Sequence, residues 1–229
     1  MTYIIGDIHG CNRSFLALLG RLALRPGDRL VLLGDYIDRG PDSKGVIDSI
    51  FDLREAGFEV VCLRGNHEQM LLNALDDTLG LEQWLAVGGR QTMASFGADR
   101  LRDIPEPYID FINSTLHWYE TGDCLCVHGG LDFSGANPLD NPHAMLWKRN
   151  WYGDIDYKWL GNRIIVHGHT PESIEPIREQ LRNLDHQRYL NLDNGCVYAH
   201  TDNRRGIALG QLLAFCPDTR ALTEQVYSG

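Results

Sequence analysis

Three short apolar runs in the first third of the sequence each end in a glycine beside residues able to hold a cation. Tyr3-Ile4-Ile5 leads into Gly6-Asp7-Ile8-His9-Gly10, residues 29–33 into Gly34-Asp35-Tyr36-Ile37-Asp38-Arg39-Gly40, and residues 60–63 into Arg64-Gly65-Asn66-His67-Glu68. Two later apolar runs end in imidazole, as His128-Gly129-Gly130 and His167-Gly168-His169-Thr170. Carboxylate, imidazole and amide oxygen together suit a hard or borderline divalent ion. So many ligands exceed the needs of one tetrahedral ion. They suit two ions sharing a bridging carboxylate, roughly 3.5–4 Å apart. Taken singly, a Gly-Asp is an ordinary turn or helix cap and a His-Gly-Gly an ordinary turn. The coincidence of five such segments, each at the end of an apolar run, is what points to a metal centre.

The elements that must position these residues follow from periodicity. Helical spacing of Phe15, Leu18, Leu19 and Leu22 predicts a helix within residues 11–24. Val46, Ile47, Ile50, Phe51 and Leu53 predict a second over 42–56, and a third spans 68–75. With strands at 3–5, 29–33 and 60–63, the order is β-α-β-α-β, which buries strands between helix layers. Ligands of such sheets bind beyond the carboxyl ends of the strands, so Asp7, His9, Asp35, Asn66 and His67 are expected in one crevice. Residues 80–114 read as short helices broken by Gly88-Gly89, Pro105 and Pro107. The second half is strand-rich, at 125–128, 164–167, 189–192, 207–215 and 221–227. The expected architecture is two sheets packed face to face with helices outside, in a single domain over residues 1–229.

Composition narrows the partners. With 229 residues, 43% of them hydrophobic, the chain can build one sizeable core. No apolar run is long enough to span a bilayer and no secretory signal is visible, so a cytoplasmic protein with no membrane partner is expected. The net charge of −10 argues against nucleic acid. None of the six cysteines forms a C-x-x-C pair, and all read as buried free thiols, with Cys124 and Cys126 on one strand face. His117, His143, His186 and His200 read as surface or locally bonded residues. Trp84, Leu85 and Val87 read as core in a region that could wall the cleft, and Tyr36 as packing.

The motifs between residues 6 and 170, extended by Asp193-Asn194-Gly195, resemble those of the calcineurin-like metallophosphoesterase superfamily. Within it they resemble the phosphoprotein phosphatase group, in its compact bacterial and phage form. The resemblance implies a four-layer α/β/β/α sandwich and a role for each position. Asp7 and His9 bind the first metal, Asp35 bridges, and Asn66, His128 and His169 complete the second. His169 is preferred to His167, which precedes the motif's glycine and is expected to support the site by hydrogen bonding. Mn²⁺ is the expected ion, with Fe²⁺ and Zn²⁺ also suited. A hydroxide formed between the metals attacks phosphorus, His67 protonates the leaving oxygen and Asp38 orients His67. Arg39, Arg64 and Arg149 grip the phosphate, as the planar guanidinium fork allows. The sister group of symmetrical dinucleoside tetraphosphate hydrolases typically has Ala where this chain has Asp38, and Asp where it has Glu68. The expected activity is therefore hydrolysis of phosphoserine or phosphothreonine, with phosphotyrosine open, in a phosphorylated protein or peptide. The tetraphosphate hydrolase is the alternative, and an inert binding scaffold a more distant one.

Overall fold

Alternation of apolar side chains along short strands decides how the chain is shared between layers. The structure, a computed structural model, describes residues 1–199 and 208–229. Strands β1 (Thr2–Ile5), β2 (Arg29–Leu32) and β3 (Glu59–Cys62) pair in parallel. Parallel neighbours need a crossover, and α1 (Asn12–Leu22) and α2 (Ser43–Glu55) supply it. After β3 come α3 (Asn66–Asp76), α4 (Thr78–Trp84), α5 (Arg90–Phe96) and α6 (Glu106–Asn113).

A second sheet then forms in the order β4-β5-β6-β7, from β4 (Trp118–Thr121), β5 (Cys124–Val127), β6 (Ile164–His167) and β7 (Tyr189–Asn191). Helices α7 (Pro142–Trp147) and α8 (Tyr157–Leu160) lie between β5 and β6, and α9 (Ile174–Arg182) and α10 (Leu184–Gln187) between β6 and β7. The chain returns to the first sheet through β8 (Asp193–Asn194), β9 (Gln211–Cys216) and β10 (Ala221–Val226), giving the order β10-β9-β1-β2-β3 with β8 beside β9.

Successive strand residues face opposite ways, and the cores obey this. Ile4, Val31 and Phe215 of the first sheet meet Cys126, Val166 and Leu190 of the second. Their neighbours Ile5, Leu30 and Leu32 pack outward on Phe15, Val46, Ile50 and Leu71 of the helices. Leu125, Val127 and Ile165 pack outward on Met145, Trp151 and Leu160. The result is the expected two-sheet sandwich flanked by helices. Each fully buried aliphatic side chain contributes about 1.5–3 kcal/mol, so the strand ends that carry the polar loops are firmly held. Cys124 and Cys126 share the inter-sheet face, and all six thiols are free and buried.

The helical region does break at Gly88-Gly89: Gly88, at φ 134°, is a non-helical kink within Leu85–Gly89, between α4 and α5. One expectation on elements changes. Strand β4 was not anticipated, because Trp118 and Glu120 are exposed on a sheet edge and leave no clear alternation. The strand expected at 207–215 appears as Gln211–Cys216; residue 207 and His200 lie outside the described residues. No helix among the described residues is long and apolar enough to cross a membrane.

Candidate metal centre

Both sheets end on the same edge, and their loops there carry the polar residues. The loop after β1 carries Asp7 and His9, the loop after β2 carries Asp35, Asp38 and Arg39, and Asn66 and His67 open α3 directly after β3. His128 follows β5 and His169 follows β6. Of nine non-glycine residues with positive φ among those described, five are His9, Asp35, Asp38, Arg39 and His169. Such backbone costs on the order of 1–3 kcal/mol per residue and persists only where the surroundings over-determine it.

Glu68 does much of the holding. Its carboxylate accepts the N–H groups of Asp35, Tyr36 and Gly65, each at 2.8 Å, tying the ends of β2 and β3 together. Gly168 allows another close approach: a Cβ there would stand 2.0 Å from Oδ1 of Asp7. The other carboxylate oxygen of Asp7 accepts the N–H of His169 at 3.0 Å, linking the first strand loop to the last.

Two clusters result, and Asp35 belongs to both: His9, Asp35 and His67 in one, Asp35, His128 and His169 in the other. Oδ2 of Asp35 lies 3.3 Å from Nε2 of His9, and Oδ1 lies 3.4 Å from Nε2 of His128. Nδ1 of His128 donates to Leu33 O at 3.0 Å, so its Nε2 presents a lone pair. That lone pair faces only acceptors, Oδ1 of Asn66 at 3.1 Å and Oδ1 of Asp35. Nδ1 of His169 lies 2.8 Å from the same Asn66 oxygen. Oδ1 of Asp7 is buried without a hydrogen-bond partner, a costly state for a carboxylate oxygen. Converging lone pairs and an orphaned carboxylate oxygen are what a cation relieves, and the donor set fits divalent metal ions.

The charge balance agrees. Burial holds His9 and His128 below the ordinary imidazole value, and burial with the nearby His128 brings His169 down to about 3, so all three are neutral and able to ligate. Burial opposes the charge on Asp35, yet its carboxyl is held below the usual range, the anion being favoured by neighbouring His67, the ring whose pKa is raised and whose backbone N–H donates to it at 3.1 Å. Burial, reinforced by Asp193 and Asp35, pushes Asp7 well above that range, and burial takes Asp193 up to about 7. Protons are thus favoured at Asp7 and Asp193, where carboxylates crowd without compensating cations.

His67 is oriented by Asp38. Its Nδ1 donates to Oδ2 of Asp38 at 2.7 Å, leaving Nε2 for the site. Burial disfavours the charged ring, but Asp35 and the Asp38 hydrogen bond prevail and raise its pKa. Asp38 in turn accepts Nε1–H of Trp84 at 2.9 Å and the hydroxyl of Thr92 at 2.6 Å. Neither Trp84 nor Thr92 was singled out for this role from sequence, since an indole four residues before a Gly-Gly pair reads as core. Trp84 is indeed fully buried, and it is also the residue that positions Asp38.

The arginines divide. Nη1 of Arg39 lies 2.6 Å from Nε2 of His9, and Nε of Arg149 donates to Nε2 of His169 at 3.1 Å, so both reach the clusters. Arg64, expected to bind phosphate, instead donates to Asn113 O, Gln69 Oε1 and Thr115 Oγ1, fastening α3 to the end of α6. Its position beside Gly65 put it in the motif, but the ready carbonyls of the α6 terminus hold its guanidinium there. His167 lies outside both clusters, within 2.8 Å of the Tyr152 hydroxyl and 3.0 Å of Gly168 O.

Comparison with known proteins places this arrangement. The sequence model of the calcineurin-like phosphoesterases matches residues 2–203. A symmetrical bis(5'-nucleosyl)-tetraphosphatase of Pseudomonas putida strain GB-1 is 30% identical over 182 residues, covering 70% of this chain and 57% of that protein. Another, from Pseudomonas fluorescens strain SBW25, is 42% identical over 138 residues, covering 57% of this chain and 43% of the relative. The match thus spans about half the length of these curated relatives. A solved structure provisionally described as a diadenosine tetraphosphatase shares the fold, with a TM-score of 0.66 at 21% identity, over 100% of this chain and 94% of the other.

These relatives overturn the expectation of a phosphoprotein phosphatase with a phosphorylated protein or peptide as substrate. That expectation rested on Asp38 and Glu68. Both side chains are fully buried and bonded inward, Asp38 to His67, Trp84 and Thr92, and Glu68 to the backbone N–H groups of Asp35, Tyr36, Ile37 and Gly65. They determine how the ligand loops are held and have no contact through which to select a substrate.

Proposed function

The chain belongs to the calcineurin-like phosphoesterase family, metal-dependent phosphoester hydrolases, and from that premise we propose that it cleaves symmetrical dinucleoside tetraphosphates at the middle of the four-phosphate bridge, releasing two nucleoside diphosphates. The observation that carries this reading is the run of relatives at 30% identity and above whose names state that activity. Residues 1–229 act in it as one catalytic unit. Mn²⁺ is the ion we assign first. The six free buried thiols suit a reducing compartment, and we place the protein in the cytoplasm.

Asp7, His9 and Asp35 hold one ion in this reading, and Asp35, Asn66, His128 and His169 the other. Bound there, the ions neutralise phosphoryl oxygens and make a water acidic enough to serve as nucleophile near neutral pH. Arg39 and Arg149, on opposite flanks of the clusters, take the non-bridging oxygens of the substrate through their planar forks. Asp38 keeps the Nδ1 proton on His67 and aims Nε2 at the leaving oxygen. That oxygen belongs to a phosphate, far less basic than the serine alkoxide of a phosphoprotein. His67 therefore contributes at or below the lower end of the ~10²–10⁴-fold typical of general acid catalysis.

The deciding experiment is incubation of the protein and Mn²⁺ with diadenosine tetraphosphate, the products being resolved by anion-exchange chromatography. Two equivalents of ADP per substrate are expected. ATP with AMP, or no turnover, sinks the reading.

A further inference from the structure

Beside the metal centre the kinked segment Leu85–Gly89 and the residues after β8 line an open cavity of about 470 Å³, bounded by Arg39, Leu85, Val87, Arg90, Val197 and Tyr198 among others. The volume falls in the range of about 300–1,000 Å³ common for small-molecule sites. Its lining is unlike that of the metal clusters. Leu85, Val87 and Val197 are aliphatic, Tyr198 is aromatic, and the charged groups Arg39 and Arg90 are both cationic. Val87 is 38% exposed, an apolar side chain with its face open.

Arg39 joins the two places. Its Nη1 is 2.6 Å from Nε2 of His9, while its guanidinium carbon lies 5.6 Å from the centre of the Tyr198 ring. Anything extending from a phosphate at the metals along Arg39 arrives beside Tyr198. The backbone is built for this proximity: a Cβ on Gly88 would stand 2.6 Å from the main-chain nitrogen of Arg39, and φ at Gly88 is 134°, where a side chain is strained. The kink at Gly88 leaves Leu85 and Val87 beside Arg39 on the cavity wall.

We propose that this cavity is the nucleoside subsite. A nucleobase packs among Tyr198, Leu85, Val87 and Val197, while Arg39 and Arg90 take the phosphates that link it to the metal centre. Aromatic side chains stack on bases whatever their identity, so the subsite distinguishes nucleotides from bare phosphates more than one base from another. The inference rests on the tetraphosphatase reading for its substrate class and adds the residues that recognise the nucleoside half.

The test is calorimetric binding of ADP and of inorganic pyrophosphate to the Mn²⁺-loaded protein and to Tyr198→Ala, Tyr198→Phe and Val87→Asp. The intact protein is expected to bind ADP more tightly than pyrophosphate. Tyr198→Ala and Val87→Asp are expected to lower the ratio of ADP to pyrophosphate affinity about tenfold, and Tyr198→Phe, which keeps the ring, to restore most of it. Equal affinities in the intact protein, or a ratio unmoved by both Tyr198→Ala and Val87→Asp, overturns the subsite. Turnover separates the two ideas. ADP preference through Tyr198 and Val87 without cleavage of diadenosine tetraphosphate leaves the subsite standing and removes the activity. Symmetrical cleavage with an unmoved ratio does the reverse.

Discussion

The two sheets bring different chemistry to one edge and hold it by different means. The first sheet delivers Asp7, His9 and Asp35 on loops and Asn66 at the start of α3, with His9 and Asp35 in left-handed backbone and the ends of β2 and β3 tied by the buried carboxylate of Glu68. The second delivers His128 and His169, with His167 and its loop packed on aromatic rings. Trp151 meets His167 edge-on at 5.1 Å and donates to Gly129 O at 3.2 Å, and Tyr152 stacks on Tyr189 at 3.9 Å. A buried hydrogen-bond network fails when one atom is lost, because the remaining groups keep their full desolvation penalty. Aromatic packing yields by degrees. The first sheet's half of the centre should therefore be the brittle one.

The largest effect is expected where the halves meet. Asp35→Asn removes the charge that faces both clusters, and turnover should fall by more than about 10³-fold, several kcal/mol of lost barrier lowering. Chelation of the intact protein should do the same, with Mn²⁺ restoring activity. Elemental analysis of the variant checks the cause: full metal content and full turnover together would remove Asp35 from the bridge.

Glu68→Ala probes the brittle half directly. Four buried N–H groups lose their acceptor, those of Asp35, Tyr36 and Gly65 at 2.8 Å and the weaker Ile37 at 3.4 Å, at about 1–3 kcal/mol for each strong bond. A loss of about 3 kcal/mol in a chain of this size lowers Tm by roughly 6–12 °C, read by thermal unfolding. A shift of a degree or two would show that the loops hold themselves.

The arginines give a smaller contrast. Arg149→Ala, at the edge of the second cluster, should raise KM about tenfold, the loss of one charge-assisted pair at roughly 1.5 kcal/mol. Arg64→Ala should leave KM within about twofold and lower Tm instead, since its donors serve Asn113 and Gln69. Equal KM changes would return Arg64 to the phosphate site. Smallest of all, Trp151→Phe keeps the ring and forfeits one hydrogen bond, about 1 kcal/mol and a few degrees of Tm. A loss as large as that of Glu68→Ala would end the contrast between the halves.

Much of this centre was legible before any coordinates. Gly-Asp-x-His, Gly-Asp-x-x-Asp-Arg and Gly-Asn-His-Glu at strand ends mark residues that the fold gathers in and around the two clusters, because a cation needs particular donor atoms and strand ends are where loops can offer them. The series of parallel strands and amphipathic helices was equally plain, since burial imposes a period of two or of 3.6. The substrate was misread for a physical reason. In the sequence Asp38 and Glu68 look like marks of specificity, but their side chains turn inward to Trp84, Thr92 and the backbone of the β2 loop. Residue type shows what a group can bond; the neighbours that occupy it lie 30 or 50 residues away.

What the sequence determined by itself was therefore the chemistry: donor types, their spacing after apolar runs, and the layered fold that aligns the runs. The resemblance already names Asp35 as the shared residue and His169 over His167; what the tertiary structure alone decided was how each is held and which way the arginines and buried acids turn. Asp35 spans both clusters because its two oxygens face His9 and His128 from opposite sides. His169 rather than His167 enters the centre because Tyr152 and Gly168 engage the latter. Arg39 reaches His9 while Arg64 is drawn to the end of α6. Each of these is settled by which long-range partner lies within hydrogen-bond reach. That depends on how two sheets and their flanking helices pack, and no local pattern of residues encodes it.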